Sequence, residues 1–116
     1  MHNIKKIIIT GGSGFIGSHL VKIFLKNSYK ILNLDRLNYC SNYQLFNNKN
    51  YSFTKIDLAD EKKVSKIIKK FNPDAIINCA AETHVDKSIV TPNIFLDSNI
   101  ISTLSLLNFL RKSKKK

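Results

Sequence analysis

The stretch Lys6-Ile-Ile-Ile-Thr-Gly-Gly-Ser-Gly-Phe-Ile-Gly-Ser-His-Leu20 decides the fold, because an apolar run typical of a buried strand leads through a glycine-rich turn into a helical pattern. It holds all four glycines of the chain, and Gly12, Gly14 and Gly17 satisfy the pattern G-x-G-x-x-G. Glycine suits such a turn because the bend is tight, because a phosphate can approach the N–H groups without meeting a Cβ, and because the helix packs closely on the strand. The stretch therefore predicts a dinucleotide site at the N-terminus of a helix.

Length and composition indicate one domain without a membrane span. The chain has 116 residues, enough for one domain with a core but short for a complete enzyme. No apolar run approaches the roughly 18 residues of a membrane-spanning helix. The first three residues lead directly into a strand pattern, without the features of a signal peptide. We therefore expect a cytoplasmic protein.

The cysteine pattern argues against a metal site and a disulfide framework. Cys40 and Cys79 lie 39 positions apart, and neither belongs to a Cys-x-x-Cys or Cys/His pattern with ligand spacing. His84 likewise has no second His or Cys at ligand spacing. We expect free thiols, no bound metal, and a hydrogen-bonded loop role for His84.

The strongly basic charge has a compositional explanation. The net charge is +11, which taken alone suggests a nucleic-acid-binding domain. However, 17 Lys, 16 Ile and 13 Asn dominate the sequence, as expected of A/T-rich coding DNA. Only Arg36 and Arg111 supply arginine, the residue suited to bidentate phosphate contacts. We therefore expect neither a nucleic acid nor a membrane as partner.

Strand patterns alternate with helix patterns along the chain. Strands are predicted at about 4–10, 30–35, 51–57 and 75–78, and helices at about 14–26, 61–71 and 94–111, with a short helix also considered near 43–46. This order predicts an α/β fold, a Rossmann-type parallel sheet of about four strands with helices on both faces, incomplete relative to larger folds of this class. We assign residues 1–111 to this domain and residues 112–116 to a basic disordered tail.

Apolar periodicity predicts the buried face of each helix. In the first helix the apolar positions at spacings of three and four are Phe15, Ile16, Leu20, Ile23 and Phe24. In the second helix they are Val64, Ile67, Ile68 and Phe71, with Lys62, Lys63, Lys66, Lys69 and Lys70 on the outer side. In the last helix they are Ile100, Ile101, Leu104, Leu106, Leu107, Phe109 and Leu110. The lysines of the second helix therefore predict a solvent-exposed face.

Asp35 ends the second predicted strand, 18 residues after Gly17 and 24 after Gly11. A dinucleotide fold presents a carboxylate to the adenosine ribose at about 20 residues from its glycine loop. A carboxylate there accepts hydrogen bonds from both ribose hydroxyls and repels a 2′-phosphate, which favours NAD over NADP. Arg36 tempers this preference because an arginine beside the ribose can take a phosphate. The plainer alternative for Asp35 is a turn residue at a strand end.

Small residues, Cys79-Ala-Ala81, follow the fourth predicted strand. The carboxyl ends of the strands border the ligand crevice of an open α/β sheet, and small side chains there leave room for a flat cofactor. The segment therefore extends the predicted dinucleotide site to the end of this strand.

Taken together, these residues resemble the N-terminal half of the extended short-chain dehydrogenase/reductases, the NAD-dependent epimerase/dehydratase family, and within it the dTDP-glucose 4,6-dehydratases. The part shared across that family is Thr10-Gly-Gly-Ser-Gly-Phe-Ile-Gly-Ser18. The part closer to the dehydratases is Asp35-Arg-Leu-Asn-Tyr39, Asp57-Leu58, Ala80-Ala-Glu-Thr-His-Val-Asp-Lys-Ser88, Pro92 and Asp97-Ser-Asn99. The resemblance covers nearly the whole chain.

The resemblance implies an NAD site built from five parts of the chain. Gly11, Gly14, Phe15, Ile16 and Gly17 would lie at the pyrophosphate, and Asp35, Arg36, Leu37 and Asn38 around the adenosine ribose. Asp57 and Leu58 would flank the adenine, Cys79, Ala80, Ala81, Glu82 and Thr83 would line the crevice, and Ser98 would touch the nicotinamide side. Thr83 would also face the sugar substrate.

Plainer structural roles stay open for several of these residues. Leu58 could belong to the core and Asp57 could cap a helix. A polar loop over a strand end would account for Glu82, Thr83, His84 and Asp86. The pair Glu82 and Asp86 is weak evidence for acid/base chemistry without information on burial.

The resemblance also implies the reaction of a lyase. In the family the sugar is oxidised at C4 by hydride transfer to NAD, water is eliminated across C5 and C6, and the hydride returns to C6. The family's catalytic Tyr-x-x-x-Lys and Thr-Asp-Glu come after a fifth strand begins, and this sequence contains neither at that place. The one formal match, Tyr51-Ser-Phe-Thr-Lys55, falls in a predicted strand, where positions four apart are separated by roughly 13 Å. One helical turn, the spacing of the family's pair, is roughly 6 Å, so we assign no catalytic residue.

Two hypotheses follow for the whole chain. It is a truncated or split dehydratase, which acts on a nucleotide sugar only with a C-terminal half supplied by a complementing chain or a second copy. Alternatively, it is a free-standing NAD-binding module or a fragment of a nucleotide-sugar epimerase. The lysine-rich end after Leu110 favours truncation. Under either hypothesis we expect weak NAD binding, no turnover, and a fourth strand whose open edge invites aggregation or strand addition.

Overall fold

A computed structural model describes residues 3–37, 47–81 and 85–113. Its strands are β1 (Lys6–Thr10), β2 (Lys30–Asp35), β3 (Tyr51–Lys55) and β4 (Ala75–Asn78). Its helices are α1 (Phe15–Lys26), α2 (Glu61–Phe71), α3 (Val85–Val90), α4 (Pro92–Leu96) and α5 (Ser102–Lys112), and a π-helical turn, Asp97–Ile101, joins the last two. All strand pairings are parallel, so the predicted Rossmann-type sheet of four strands with helices on both faces is confirmed.

The strand order β3-β2-β1-β4 places a switch in direction beside β1. The chain first builds outward from β1 through β2 to β3, and it then returns to the other side of β1 to form β4. The connections that leave β1 and β4 therefore run to opposite faces of the sheet and open a crevice between the two carboxyl ends. Ligands of open α/β sheets bind in such a crevice.

Two hydrophobic cores lie on opposite faces of the sheet. The core beneath α1 consists of Ile7, Ile9, Val21, Leu25 and Ile31. The other core joins the sheet to α2 and α5 and consists of Ile8, Leu32, Leu34, Ile56, Leu58, Val64, Ile68, Leu106 and Phe109. Because both faces of β1 and β2 are covered, the middle of β1 is a continuous apolar run, and the apolar run of β2 is interrupted only by Asn33.

The predicted buried face of α1 is confirmed for Leu20 and Phe24, which pack against the core, and is wrong for Phe15, Ile16 and Ile23. Phe15 is 73% and Ile16 is 68% exposed, and the buried positions are Gly17, Ser18, Val21 and Leu25. The phase of the helix is set at its start, because Gly17 packs against the glycine turn. Positions one, four and eight residues later then face the sheet. In α2, by contrast, the predicted inward positions are confirmed, with Val64 and Ile68 fully buried and the five lysines exposed.

The last helical segment also departs from the predicted pattern. The buried positions there are Ser98, Ser102, Ser105, Leu106 and Phe109, whereas the large apolar side chains of Ile100, Ile101, Leu104, Leu107 and Leu110 are exposed. The π-helical turn changes the phase of the segment by the equivalent of one residue, which a regular 3.6-residue period does not anticipate. The helix also includes Lys112, one residue beyond the predicted domain boundary, and the Nζ atom of Lys112 lies 3.4 Å from Glu61 Oε1.

Smaller differences concern loops and edges. The predicted helix near 43–46 lies outside the described residues. Asp86 lies in α3 rather than in the loop considered for it. Within the described residues β4 pairs with β1 alone, so its other edge is open there, while aggregation or strand addition at that edge stays a prediction. No helix in the described part of the chain is long and apolar enough to cross a bilayer.

Asp74 ties the amino end of β1 to the chain just before β4. Its Oδ2 atom accepts hydrogen bonds from the N–H groups of Lys5 (2.9 Å) and Lys6 (2.8 Å), and its own N–H donates to the Lys6 carbonyl at 2.7 Å. One carboxylate oxygen thus holds two consecutive N–H groups where the central strand β1 and the edge strand β4 begin.

We predict that Asp74→Ala lowers the free energy of unfolding by about 1 kcal/mol, because both N–H groups lose a charged acceptor at a solvent-exposed site. Asp74→Asn keeps an oxygen acceptor without the charge and should lose about half as much. Urea unfolding monitored by circular dichroism measures both values. Equal stability of the alanine variant and the unmodified chain would contradict this role.

Candidate functional site

The glycine turn rests directly on the segment that follows β4. Gly11 has φ = 67°, in the left-handed region, and a Cβ built at this residue would lie 2.7 Å from the Cα and N atoms of Ala80. Real Cβ atoms do not approach backbone so closely, so only glycine fits at this position. The turn and the end of β4 therefore form two sides of one narrow crevice.

Gly17 brings the first turn of α1 against the same loop. A Cβ at Gly17 would overlap the Gly11 carbonyl oxygen and lie 2.8 Å from the Gly12 Cα. That carbonyl oxygen also accepts the Gly14 N–H at 3.0 Å. Gly14 itself precedes the helix with φ = −78° and ψ = 178°, a conformation that any residue adopts, and its Cβ would approach the Gly11 oxygen only to 3.3 Å. A side chain is therefore excluded at Gly17, whereas one at Gly14 would need only a small shift of its neighbour.

The N–H groups of Gly11 and Gly14 donate to backbone carbonyl oxygens, those of Leu34 and Gly11 respectively. The N–H groups of Gly12 and Ser13 donate to side chains of β2. Those of Phe15, Ile16 and Gly17, the first three residues of α1, have no acceptor among the described residues. The first N–H groups of any helix lack partners within the helix and carry the positive end of its dipole. This is the arrangement that binds phosphate groups at helix N-termini.

Asn33 and Asp35 are the β2 side chains that hold the turn. Asn33 Oδ1 accepts the Gly12 N–H at 2.8 Å, and Asp35 Oδ2 accepts the Ser13 N–H at 3.0 Å. The two residues are two positions apart on one strand, so both point to the face of the sheet that α1 covers. Two successive N–H groups of the turn are therefore fixed by two successive side chains on that face.

Asn33 was not anticipated from the sequence. It is completely buried, and its Nδ2 donates to Ser13 Oγ at 3.0 Å and to the Tyr51 hydroxyl at 3.2 Å. A signal was present, because a carboxamide inside a buried strand needs hydrogen-bond partners. Asn33 is the only residue of β2, apart from its two ends, with a polar side chain, and it lies on the same face as Asp35.

Asp35 lies where the sequence analysis placed it, at the carboxyl end of β2, and it is 8% exposed. Its Oδ1 accepts the Leu37 N–H at 2.8 Å, and Leu37 has φ = 57°, a left-handed conformation that is unusual for leucine. Arg36 lies between them, half-buried. One carboxylate therefore both anchors the glycine turn and bends the chain after β2, so the plainer turn role considered for Asp35 is confirmed, while its role at the adenosine ribose stays a prediction.

The end of β4 is fixed to β1 by Thr10, which is completely buried. Its hydroxyl donates to Asn78 Oδ1 and accepts the N–H groups of Cys79 (3.1 Å) and Ala80 (3.3 Å). Ala81 follows as an exposed residue. Burial raises the pKa of the Cys79 thiol above its ordinary value, because the thiolate is less well solvated there. Cys79 is thus a neutral lining residue at ordinary pH.

Ser98 lies in the π-helical turn and is 7% exposed. Its hydroxyl has no hydrogen-bond partner among the described residues. Buried hydroxyl groups are nearly always hydrogen-bonded, and the described residues supply no partner for this one or for the buried hydroxyl of Ser105 in α5. π-Helical turns occur frequently at functional sites.

The residues expected at the adenine have plainer surroundings. Leu58 is 5% exposed and belongs to the core beneath α2 and α5. Asp57 is exposed, and its Oδ1 accepts the Ala59 N–H at 3.0 Å. The N-cap of α2 is Asp60, whose side chain accepts the Lys63 N–H. The core role considered for Leu58 is therefore confirmed, whereas the capping role considered for Asp57 belongs to Asp60.

Three of the expected site residues, Asn38, Glu82 and Thr83, lie outside the described residues, as do His84 and Cys40. Tyr51 and Lys55 lie in strand β3, which agrees with their exclusion as a catalytic pair. Among the described residues no group of three His, Cys, Asp or Glu side chains could hold a metal ion.

Comparison with known proteins gives the family of this site. The sequence pattern of the GDP-mannose 4,6 dehydratase family matches residues 8–116. The chain belongs to this family. The predicted resemblance to the epimerase and dehydratase group is thereby confirmed.

Named relatives of the family fall in the dehydratase group. The chain is 39% identical over 112 residues to the dTDP-glucose 4,6-dehydratase of Salmonella typhimurium and 40% identical over 112 residues to that of Escherichia coli. Each alignment covers 92% of this chain and 31% of the relative. The chain therefore spans about a third of the length of these family members.

Solved structures of family relatives share the fold. A dTDP-glucose 4,6-dehydratase from Bacillus anthracis, in complex with NAD, superposes with a TM-score of 0.81 at 32% identity, over 96% of this chain and 35% of that one. A UDP-glucose 4-epimerase from Thermotoga maritima, with UDP-glucose, superposes with a TM-score of 0.86 at 32% identity over the same shares. A UDP-glucose 4-epimerase from Thermus thermophilus, complexed with NAD, gives 0.85 at 29% identity, again over 96% and 35%.

The two glycines of the helix start provide a matched test of this geometry. We predict that Gly17→Ala lowers the free energy of unfolding by about 3 kcal/mol, because the added methyl overlaps the Gly11 carbonyl oxygen. Gly14→Ala, one turn away in the same family motif, should cost about 1 kcal/mol or less. Urea unfolding of the two variants measures the difference, and equal losses would contradict the close approach of α1 to the turn.

Proposed function

We propose that this chain is the NAD-binding part of a cytoplasmic nucleotide-sugar 4,6-dehydratase of the dTDP-glucose type. The observation that carries the proposal is the start of α1, where three N–H groups without acceptors among the described residues face the crevice beside Asp35. The relatives named dTDP-glucose 4,6-dehydratase support the reaction type, and the relatives solved with NAD support the cofactor.

The residues present fit a dinucleotide. The N–H groups of Phe15, Ile16 and Gly17 have no acceptor among the described residues, and a diphosphate at the start of α1 would supply one. The Ser98 hydroxyl is a buried polar group without a partner among the described residues, and a carboxamide could provide one. Phe15 and Ile16, both largely exposed, would cover the diphosphate from the solvent side.

Asp35 would supply the preference for NAD. Each of its oxygens accepts one N–H group from the protein, and a carboxylate oxygen can accept a second hydrogen bond. The ribose hydroxyls can therefore be bound without releasing the turn. A 2′-phosphate would meet a carboxylate that is held in place by the backbone, and like-charge repulsion would weaken its binding.

The complete dehydratase reaction needs catalytic groups in addition to the described residues. NAD, when bound, accepts a hydride from C4 of the sugar and returns it at C6 after water has been eliminated. The described residues would bind and orient the cofactor at the carboxyl ends of β1 and β2. The catalytic Tyr-x-x-x-Lys and Thr-Asp-Glu would come from the two thirds of the relatives that this alignment leaves uncovered, supplied by further sequence, a complementing chain or a second copy.

A sugar-nucleotide epimerase is the second candidate. Its support is structural, because the epimerase of Thermotoga maritima superposes with a TM-score of 0.86 against 0.81 for the dehydratase of Bacillus anthracis. Both reactions use the same cofactor half, so the difference lies in residues outside it. The sequence identities of 39% and 40% to dehydratases favour the first proposal.

Calorimetric titration of the chain with NAD and NADP tests the cofactor. We expect NAD to bind weakly, with NADP weaker by about tenfold, because an uncompensated charge contact of this kind is worth about 1.4 kcal/mol. Asp35→Asn removes the charge and should bring the two affinities together. Asp74→Asn, a carboxylate change at the opposite end of the sheet, should leave the NAD affinity unchanged. Failure of the chain to bind either dinucleotide would refute the proposed function, and tighter NADP binding would refute the role of Asp35.

An assay for the 4-keto-6-deoxy sugar tests whether the catalytic groups lie outside this chain. The chain alone, supplied with NAD and dTDP-glucose, should form no product. Adding a polypeptide that corresponds to the remaining two thirds of a dTDP-glucose 4,6-dehydratase should restore turnover. Turnover by the isolated chain would overturn our assignment of the catalytic groups to residues outside it.

A further inference from the structure

Seven N–H groups follow one another from Gly11 to Gly17, through the glycine turn and the start of α1, and only the last three have no acceptor among the described residues. Asn33 Oδ1 takes the Gly12 N–H and Asp35 Oδ2 takes the Ser13 N–H. The Leu34 carbonyl oxygen of β2 also takes the Gly11 N–H, and within the turn the Gly11 carbonyl oxygen takes the Gly14 N–H, so β2 supplies three of the four acceptors. The remaining donors all belong to the first turn of α1.

The carboxamide of Asn33 matches its surroundings at both ends. Its oxygen meets a donor that cannot rotate away, the Gly12 N–H, and its nitrogen meets two hydroxyl groups that can act as acceptors, those of Ser13 and Tyr51. A carboxylate would bring a second negative charge to the same face of β2 as Asp35. An apolar side chain of the same size would leave the buried Gly12 N–H unpaired, which is costly in a water-excluded site.

Asn33 also fixes the distance between turn and strand. A Cβ at Gly12 would lie 2.5 Å from Asn33 Oδ1 and 2.6 Å from its Cγ. The turn therefore lies directly on the carboxamide, and the glycine at position 12 is required by this side chain rather than by a positive φ, since the only glycine with positive φ is Gly11. The two residues form one interlocked unit.

We propose that Asn33 is a positioning residue for the diphosphate of the cofactor, which acts by holding Gly12 so that the N–H groups of Phe15, Ile16 and Gly17 converge on one anion. This inference rests on the proposed binding of a dinucleotide and extends it to a residue that makes no contact with the ligand. It predicts that replacing Asn33 weakens the binding of ligands that carry the diphosphate and leaves the binding of the nucleoside alone unchanged.

Amide hydrogen exchange tests the position of the turn without any ligand. In the unmodified chain the Gly12 amide should be strongly protected. In Asn33→Leu it should exchange at least about tenfold faster, while the amide of Ile8 in the sheet core keeps its protection. Asn33→Asp retains an acceptor for Gly12 and should restore the protection. Unchanged exchange of Gly12 in Asn33→Leu would overturn the proposal.

Should the leucine variant fail to fold, Asn33→Ser gives the same test. Serine fits in the space of asparagine, and its shorter side chain does not reach the Gly12 N–H. The same loss of Gly12 protection is expected, and a Gly12 amide as protected as in the unmodified chain would again overturn the proposal.

Titration with ADP and adenosine, followed by NMR, separates positioning from general loosening. Asn33→Leu should raise the Kd for ADP about tenfold and leave the Kd for adenosine within about twofold. Tyr51→Phe removes a hydroxyl from the same network without touching Gly12 and should change neither value. Equal weakening of both ligands in Asn33→Leu would show a merely structural role. If the unmodified chain binds neither NAD nor ADP, the proposed function fails, whereas the exchange experiment still decides whether Asn33 holds the turn.

Discussion

The structure depends on the contact between two β2 side chains and the backbone of the glycine turn. Asn33 and Asp35 hold the N–H groups of Gly12 and Ser13, and this fixes a loop that has no apolar side chains of its own to pack. Because the loop is fixed, Gly11 can approach Ala80 within van der Waals limits and Gly17 can approach Gly11. A buried polar network of this kind is useful only when all its members are paired, and the described part of it is.

The topology of the sheet explains why this contact lies beside a crevice. The order of the strands changes direction at β1, and open α/β sheets form their ligand crevice at the carboxyl ends beside such a point. Thr10 closes the bottom of this crevice, since its hydroxyl holds the N–H groups of Cys79 and Ala80. The floor of the crevice is thus made of backbone and small side chains, which suits a flat, charged ligand better than an apolar one.

Much of the fold could be predicted from the sequence, because apolar patterns report on burial. The bounds of β2, α2 and β4 agree with the pattern, and so does the position of Asp35. The buried face of α1 could be predicted only in part, since its buried positions begin with Gly17 and Ser18, which carry no hydrophobic signal. The same is true of the serines that face inward around the π-helical turn. The role of Asn33 could not be predicted, because a single polar residue in a buried strand leaves no periodic pattern. Its hydrogen bonds to Gly12, Ser13 and Tyr51 explain why it is there.

The lysines that give the chain its net charge do not create the positive potential at the glycine turn. The lysines of α2 are exposed and point away from the sheet, and α2 covers the face opposite to α1. Exposed ion pairs such as Lys63 with Asp60 neutralise part of this charge and contribute little stability. At the turn, by contrast, the positive potential comes from N–H groups and the helix dipole. An anion held by backbone dipoles is fixed in orientation by the geometry of the loop, whereas lysine side chains would hold it only by charge. The net charge of the chain therefore says little about which anion binds at the turn.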